Sequence, residues 1–275
     1  MATISQDLST AGMEAAIEAN WVGVFGYWSH TPSIEVHDDE PDLRWYTTPG
    51  VPVPLFNHVY STRLAQEENI DARIEEVMGS FAEREVPFMW SVGPFTQPSD
   101  LGARLESRGL SREEEMPGMA VDLRAINEDL PSSSAHATER VSSTEVLREC
   151  IEVMRVGFEL PELTSEVLFE AFTAMGLTAE SPLRSYVGRI EGEAVAASSL
   201  FLAAGVAGIY NVATLPKARR QGLGAAVTLE GLREARELGY HIAVLQSSAM
   251  GLGVYRRLGF EQYSTYSVYV GTGRE

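Results

Sequence analysis

A single cysteine, Cys150, and a single lysine, Lys217, stand in a chain of 275 residues. One thiol cannot form an internal disulfide or build a cysteine metal site, and no metal is expected. Val146, Leu147, Ile151 and Met154 surround it at helical spacing, which predicts a buried structural thiol instead of a nucleophile. No stretch approaches the roughly 18 uninterrupted apolar residues of a membrane span. The first residues carry Asp7 and Glu14 without a basic leader, so they do not read as a signal peptide, and the expected place is the cytoplasm. Basic residues are also scarce: 21 Lys+Arg against 39 Asp+Glu leave a formal charge of −18. That balance repels nucleic acid and anionic membranes unless a local basic patch overrides it, and none is present. The acidity suits solubility, or a field that attracts a cationic small molecule.

What is there centres on Tyr210 to Gly224. Tyr210-Asn211-Val212-Ala213-Thr214 is an apolar, β-rich segment, Leu215-Pro216-Lys217-Ala218 a loop, and Arg219-Arg220-Gln221-Gly222-Leu223-Gly224 a glycine-spaced turn that opens an amphipathic run. This reads as strand, loop and helix, with backbone amides free at the helix start. Free amides and the aligned peptide dipoles make such a start a cradle for a pyrophosphate. Gly222 and Gly224 keep side chains out of the way, and Arg219 and Arg220 add charge. A Walker loop is excluded by spacing, and a dinucleotide fingerprint is excluded because Val227 stands where its third glycine belongs.

The remaining pattern, Arg219-x-x-Gly222-x-Gly224, resembles the signature loop of the GNAT superfamily of acyl-CoA-dependent N-acyltransferases. Further on, His241 to Gln246 forms a short apolar strand, and Gly253-Val254-Tyr255-Arg256-Arg257-Leu258-Gly259-Phe260 is similar to that family's Leu-Tyr-x-x-x-Gly-Phe segment. The resemblance is specific over about Val206 to Val270. It implies acetyl-CoA as co-substrate, held by main-chain amides of Arg220, Gln221, Gly222, Leu223, Gly224 and Ala225 with Arg219 beside them. It also implies a backbone N–H of Val212 facing the thioester carbonyl, with Ala213 and Thr214 along the pantetheine, and Tyr255 near the sulfur as the acid that protonates the departing thiolate. One position departs from the family: an asparagine is common seven residues before the tyrosine, and here that place is Ser248, so Ser247 or Ser248 takes over as hydrogen-bond partner of the cofactor.

In chain order, helical periodicity runs from Thr10 to Trp28, strands are expected at Leu43 to Thr47 and Phe56 to Thr62, and a helix at Ile70 to Glu85. Phe88 to Val92 reads as a strand, Asp100 to Arg108 as a short helix closed by Gly109, and Met119 to Leu123 as a strand. This order repeats around the glycine loop, where strands at Ser185 to Ile190, Ala194 to Leu202 and Val206 to Thr214 follow helices at Ser143 to Phe158 and Ser165 to Met175. The inference is a duplication resembling the tandem-GNAT architecture found in, for example, mycothiol synthases. The α/β (α+β) fold would comprise two halves, each a mixed central sheet flanked by helices. A degenerate half spans 1–130, a small-residue linker 131–138, and the acetyltransferase half 139–275. In the first half, Arg63-Leu64-Ala65-Gln66-Glu67-Glu68-Asn69 stands where the glycine loop would be, with acid in place of glycine, so coenzyme A binding is expected to be lost there. The four tryptophans, Trp21, Trp28, Trp45 and Trp90, read as core.

The reaction implied is N-acetylation of a primary amine of a small molecule by direct attack on the thioester. A histidine, a glutamate or a water chain could take the amine's proton; Glu159, Tyr210 and Asn211 are expected near the acceptor cleft, and the first half offers His58, although a lone histidine beside apolar strand residues is more often structural. The expected partners are an amine acceptor and at most a second copy in a homodimer, without nucleic acid or membrane. Two other readings are an acyl-CoA-binding or partner-binding module without chemistry, and an aminoacyl transferase of tandem-GNAT type.

Overall fold

The computed structural model describes residues 3–38, 41–64, 69–129 and 136–273. Along the chain run α1 (Thr10–Gly26), β1 (Glu35–His37), β2 (Leu43–Thr47), β3 (His58–Thr62), α2 (Ile70–Glu83), β4 (Phe88–Val92), α3 (Leu101–Glu106), β5 (Ser111–Asp122) and β6 (His136–Arg140). There follow α4 (Thr144–Gly157), α5 (Thr164–Ala174), β7 (Leu183–Ile190), β8 (Glu193–Ala203), β9 (Val206–Thr214), α6 (Leu223–Glu237), β10 (Ile242–Gln246), α7 (Leu252–Leu258) and β11 (Glu261–Gly271). The chain forms two compact units, one of Met1–Val24 with Gly118–Tyr263 and one of Phe25–Pro117 with Ser264–Glu275.

Each unit is a mixed, mostly antiparallel sheet flanked by helices. In the larger unit the strands lie in the order β5, β10, β9, β8, β7, β6, and β9–β10 is the parallel pair. In the smaller the order is β1, β2, β3, β4, β11, and β3–β4 is the parallel pair. A parallel pair needs a long crossover, supplied by α6 between β9 and β10 and by α2 between β3 and β4. The series β1-β2-β3-α2-β4-α3-β5 therefore repeats as β7-β8-β9-α6-β10-α7-β11 with the same pairing sense. Each unit takes its last strand from the other half of the chain: Gly118 to Asp122 of β5 pair with β10, and Ser267 to Gly271 of β11 pair with β4.

Local chemistry accounts for these elements. Ser143 caps α4 by accepting the Val146 N–H, and Leu147, Cys150, Ile151 and Met154 form its buried stripe. Burial pushes the Cys150 thiol up to about 12, as expected of a structural cysteine. The turn between β7 and β8 has Glu191 (φ 50°) and Gly192 (φ 87°) both left-handed, the hairpin geometry whose twist matches that of the strands. One core cluster of the larger unit sets Leu229, Leu232 and Ala235 of α6 and Leu258 of α7 against Leu200, Ala207, Ile209, Ala243 and Leu245 of the sheet. Each fully buried leucine or isoleucine of this set contributes about 1.5–3 kcal/mol.

Some boundaries differ from those expected. The first helix ends at Gly26 and continues as a 3-10 turn, Tyr27–His30. Strand β3 starts at His58 because Pro54–Phe56 form another such turn. Of the linker expected at 131–138, residues 131–135 lie outside the described residues and 136–138 open β6. Trp21, Trp45 and Trp90 are buried as expected of core.

Candidate functional site

In the larger unit, β9 and β10 pair only at Ala207–Ala243 and Gly208–Val244. Beyond these residues the parallel ladder stops, although β9 runs on to Thr214 and β10 to Gln246. On its other side β9 is irregular too: Ala213 faces Ala197 and Tyr210 faces Ser199, so Asn211 and Val212 together oppose Ser198. This is a β-bulge, and Asn211 takes a left-handed φ of 54° to make it. Ile209 belongs to the core under α6 and Val212 packs against the same core. Tyr210 and Asn211 are thereby turned to the opposite face, where Asn211 Nδ2 donates to Ser199 Oγ at 3.4 Å. The result is a notch between two parallel strands with bulged backbone on one wall.

The start of α6 lies beside that notch. Gly222 is its N-cap with φ 86°, and no side chain caps it. The Ala226 N–H bonds Gly222 O at 3.0 Å, so the amides of Leu223, Gly224 and Ala225 precede the first intrahelical bond. A Cβ on Gly224 would meet Thr214 Oγ1 at 3.4 Å and Val212 Cγ1 at 4.0 Å, which places the first turn against the end of β9. The Leu223 and Ala225 side chains are buried, Leu223 against Val195, Ala196, Ala218 and Val227, so these two residues offer backbone alone. Arg220 and Gln221 are exposed, and Arg220 has a left-handed φ of 62°. Arg219 faces inward: its guanidinium donates to Thr214 O at 3.2 Å and Gly157 O at 3.4 Å, tying the loop to β9 and α4. Ala213 is buried beneath Gly157, whose missing side chain permits the approach.

Tyr255 on α7 is 8% exposed, and its ring packs edge-on against Phe260 with centroids 5.9 Å apart. A Cβ on Gly251 would lie 2.8 Å from this ring and 3.3 Å from Ser247 Oγ, so Tyr255 and Ser247 are neighbours over a glycine that must stay small. Burial raises the phenol's pKa well above its ordinary value of about 10. Ser247 is fully buried and its hydroxyl donates to Ser248 O at 2.8 Å, which leaves its oxygen able to accept. Ser248 Oγ accepts the Gly251 N–H at 3.3 Å and so serves the start of α7.

The smaller unit shows what the same elements look like when closed. Asn69 is the N-cap of α2, and its side chain accepts the Ala72 N–H at 3.1 Å, occupying an amide that is open in α6. The gap beyond the β3–β4 pair is filled by the chain itself: Gln97 N–H bonds Thr62 O at 3.0 Å, Leu64 N–H bonds Gln97 O at 2.9 Å, and Arg63 pairs with Gln97. Trp90 Nε1 adds a bond to Thr62 Oγ1 at 2.9 Å. Residues 65–68 of the acidic loop expected here lie outside the described residues.

Of the candidate bases, His58 is fully buried among Phe25, Tyr46 and Tyr60, with Nε2 2.8 Å from Ser91 Oγ. Burial lowers its pKa to about 3, so it is neutral and structural. In the unfolded chain it protonates near 6.5. His58 therefore adds no pH dependence above about 6.5, and it costs the fold stability progressively as pH falls toward about 3. His58→Gln should flatten the acid limb of a plot of urea midpoint against pH. An unchanged limb would refute this account of His58. Tyr210 is no base either: burial raises its pKa, and its hydroxyl donates to Asn20 Oδ1 at 2.8 Å. Glu159 is the one carboxylate of the four, exposed just beyond α4 with a φ of 57°.

Two residues near the notch escaped the sequence reading. Asn20 on α1 is fully buried, and its Nδ2 donates to the carbonyls of Phe201, Ala203 and Val206 at 3.2–3.4 Å while its Oδ1 accepts from Tyr210. A polar residue in the apolar stripe Ile17, Trp21, Val24 was the available signal. Gln246 ends β10, and both its amide atoms are buried without a partner. A cavity of about 480 Å³ is lined by Tyr186, Glu230, Arg233 and Glu234. Glu234 lies about 18 Å along α6 from Gly222 at 1.5 Å per residue, and its carboxylate is committed to Tyr186 and Arg184. Among the described residues no group of three or more His, Cys, Asp or Glu could hold a metal ion, and no helix is long and apolar enough to cross a membrane.

Residues 147–260 match the Acetyltransferase (GNAT) family. A 64-residue stretch is 36% identical to mycothiol acetyltransferase of Pseudarthrobacter chlorophenolicus, covering 22% of this chain and 20% of that protein. The chain thus aligns with about a fifth of that relative's length. Among solved structures, a GCN5-related N-acetyltransferase from Kribbella flavida has a TM-score of 0.65 at 18% identity, over 97% of this chain and 96% of that one. A tandem GNAT protein from the clavulanic acid biosynthesis pathway gives 0.63 at 14% identity, over 100% and 98%. The chain therefore carries a GNAT acetyltransferase domain in a fold shared with tandem GNAT proteins.

Proposed function

We propose that this chain is a cytoplasmic acetyl-CoA-dependent N-acetyltransferase that acts on a primary amine of a small molecule. The observation that carries this reading is the notch between β9 and β10 set beside the uncapped start of α6 and the buried Tyr255, within the segment that matches the family. The residues suit the cofactor: three helix-start amides, a glycine at the cap and exposed Arg220 favour a pyrophosphate. When bound, acetyl-CoA supplies an acetyl group activated as a thioester.

The rest is work for this chain. The amides of Leu223, Gly224 and Ala225 hold phosphate oxygens, and Arg220 adds charge from the solvent side. On the β10 side no parallel partner faces Val212, which lies beyond the last pair, and its N–H is the donor assigned to the carbonyl oxygen. Ala213 and Thr214 continue that wall, and Ser247 can accept a bond from an amide N–H. Tyr255 keeps a proton on Oη because burial disfavours the phenolate; it would give that proton to the departing sulfur as the carbon–sulfur bond breaks, and the proton shed by the acylated nitrogen would restore the phenol. The attacking amine is neutral and no covalent enzyme intermediate forms, so no nucleophilic side chain is needed. Buried Cys150, with its raised pKa, has no part in the reaction.

The test is thiol release from acetyl-CoA across a panel of primary amines, with the acetylated product identified by mass. Amine-dependent release supports an enzyme. Tight acetyl-CoA binding with no release above the buffer rate would leave a binding module.

A further inference from the structure

The sheet of the larger unit has two faces at the notch. Ala243 and Leu245 of β10 and Ala207 and Ile209 of β9 point into the core under α6. Alternation sends Val244, Gln246, Gly208 and Tyr210 to the opposite face. Gly208 and Val244 are the last parallel partners, so Gln246 and Tyr210 stand at the next level on the two sides of the notch. Across the sheet that level continues through Ser199, opposite Tyr210, to Ser185, whose Oγ lies 3.2 Å from Ser199 Oγ. Asn211, turned to this face by the bulge, donates to Ser199.

The row Gln246, Tyr210, Asn211, Ser199, Ser185 consists of neutral hydrogen-bonding groups. All but Gln246 have partners in the fold: Tyr210 is held by Asn20, and the others bond one another. Gln246 Oε1 and Nε2 are buried and have none. Its cross-strand neighbour on β5 is Gly118, which brings no side chain toward it. A buried carboxamide with donor and acceptor both unused is less stable than an apolar side chain of the same length. A carboxamide so placed at the edge of the notch points to a role outside folding.

We propose that Gln246 selects the acceptor, its carboxamide hydrogen-bonding a neutral polar group next to the reacting amine. The substrate class is then an amine beside a hydroxyl or amide group, such as an amino alcohol or an aminoacyl amide. A simple alkylamine offers nothing to this carboxamide, and a polyamine requires carboxylates that the row does not contain. The assignment rests on the acyl-transfer reading and adds the specificity of the same site.

The experiment compares ethanolamine and glycinamide with ethylamine as acceptors, for the native chain and for Gln246→Met. Expressed per unprotonated amine, the native chain should prefer the polar acceptors at least tenfold in kcat/KM. The variant should bring that ratio near one, with acetyl-CoA affinity unchanged. It should also raise Tm, because methionine fills the site without an unsatisfied amide. A lower Tm would show a structural carboxamide and overturn the proposal. So would a native enzyme that favours neither acceptor, or a variant that keeps the native ratio. Absence of acetyl-CoA binding in the native chain would instead remove the acyl-transfer reading, and the Tm comparison would still decide whether the carboxamide serves the fold.

Discussion

Tyr255→Phe should lower kcat by about 10²- to 10⁴-fold, the range for removing a positioned proton donor, and leave the Kd for acetyl-CoA unchanged. The substitution removes one oxygen and keeps the ring that packs against Phe260 and the Gly251 backbone. Stability should therefore hold, and the loss should fall on the chemical step alone. The raised pKa also has a consequence for the native enzyme. An acid must be protonated to act, and burial keeps this phenol protonated beyond its ordinary limit of about 10. The pH–rate profile should consequently show no descending limb from Tyr255 below about pH 10. Rates equal to native in Tyr255→Phe would move the proton donor elsewhere.

Asn20→Leu should be strongly destabilising although it removes no group assigned to the reaction. The carboxamide is fully buried, donates to three carbonyls at the end of the β8–β9 hairpin and holds the Tyr210 hydroxyl. A Cβ on Gly208 would come within 2.0 Å of Asn20 Oδ1, so the strand below is shaped to this residue. Removing one partner from buried groups costs about 1–3 kcal/mol for each group left unsatisfied. Four groups at the lower end of that range sum to about 4 kcal/mol, which corresponds to a Tm lower by about 8–16 °C for a unit of this size. Tyr210→Phe breaks only one of these bonds and should cost about 1–2 kcal/mol. Thermal melts of the two variants separate the contributions, and a Tm for Asn20→Leu within a degree of native would contradict the anchoring role.

The glycine spacing at Gly222 and Gly224, the Tyr255 segment and the element order were legible because each is local: a left-handed cap, a helix stop and hydrophobic periodicity leave marks within a few residues. The duplication was legible for the same reason. What could not be read depends on residues far apart in the chain. Asn20 meets its partners across more than 180 positions, and nothing in its neighbourhood announces them. The crossing of last strands between the two halves of the sequence is a matter of which strand pairs β10 and which pairs β4. The bulge at Asn211 leaves no signature in Tyr210-Asn211-Val212 beyond an asparagine able to adopt a positive φ. His58 beside apolar strand residues already favoured a structural role, and the aromatic packing around it shows the neutral core residue that this implies.

Acetyl-CoA binding by calorimetry, to the native chain and to Gly222→Glu combined with Gly224→Glu, decides whether the start of α6 holds the cofactor. Gly222 has a φ that side chains adopt at a cost of about 1–2 kcal/mol, and both substitutions set a carboxylate at the helix start. Gly224→Ala serves as the folding control, since its Cβ would make an ordinary contact with Thr214. The account predicts binding to the native chain, loss of binding in the double variant and a native-like melt for Gly224→Ala. A native chain that binds no acyl-CoA, or a folded double variant that binds as tightly as native, would contradict it.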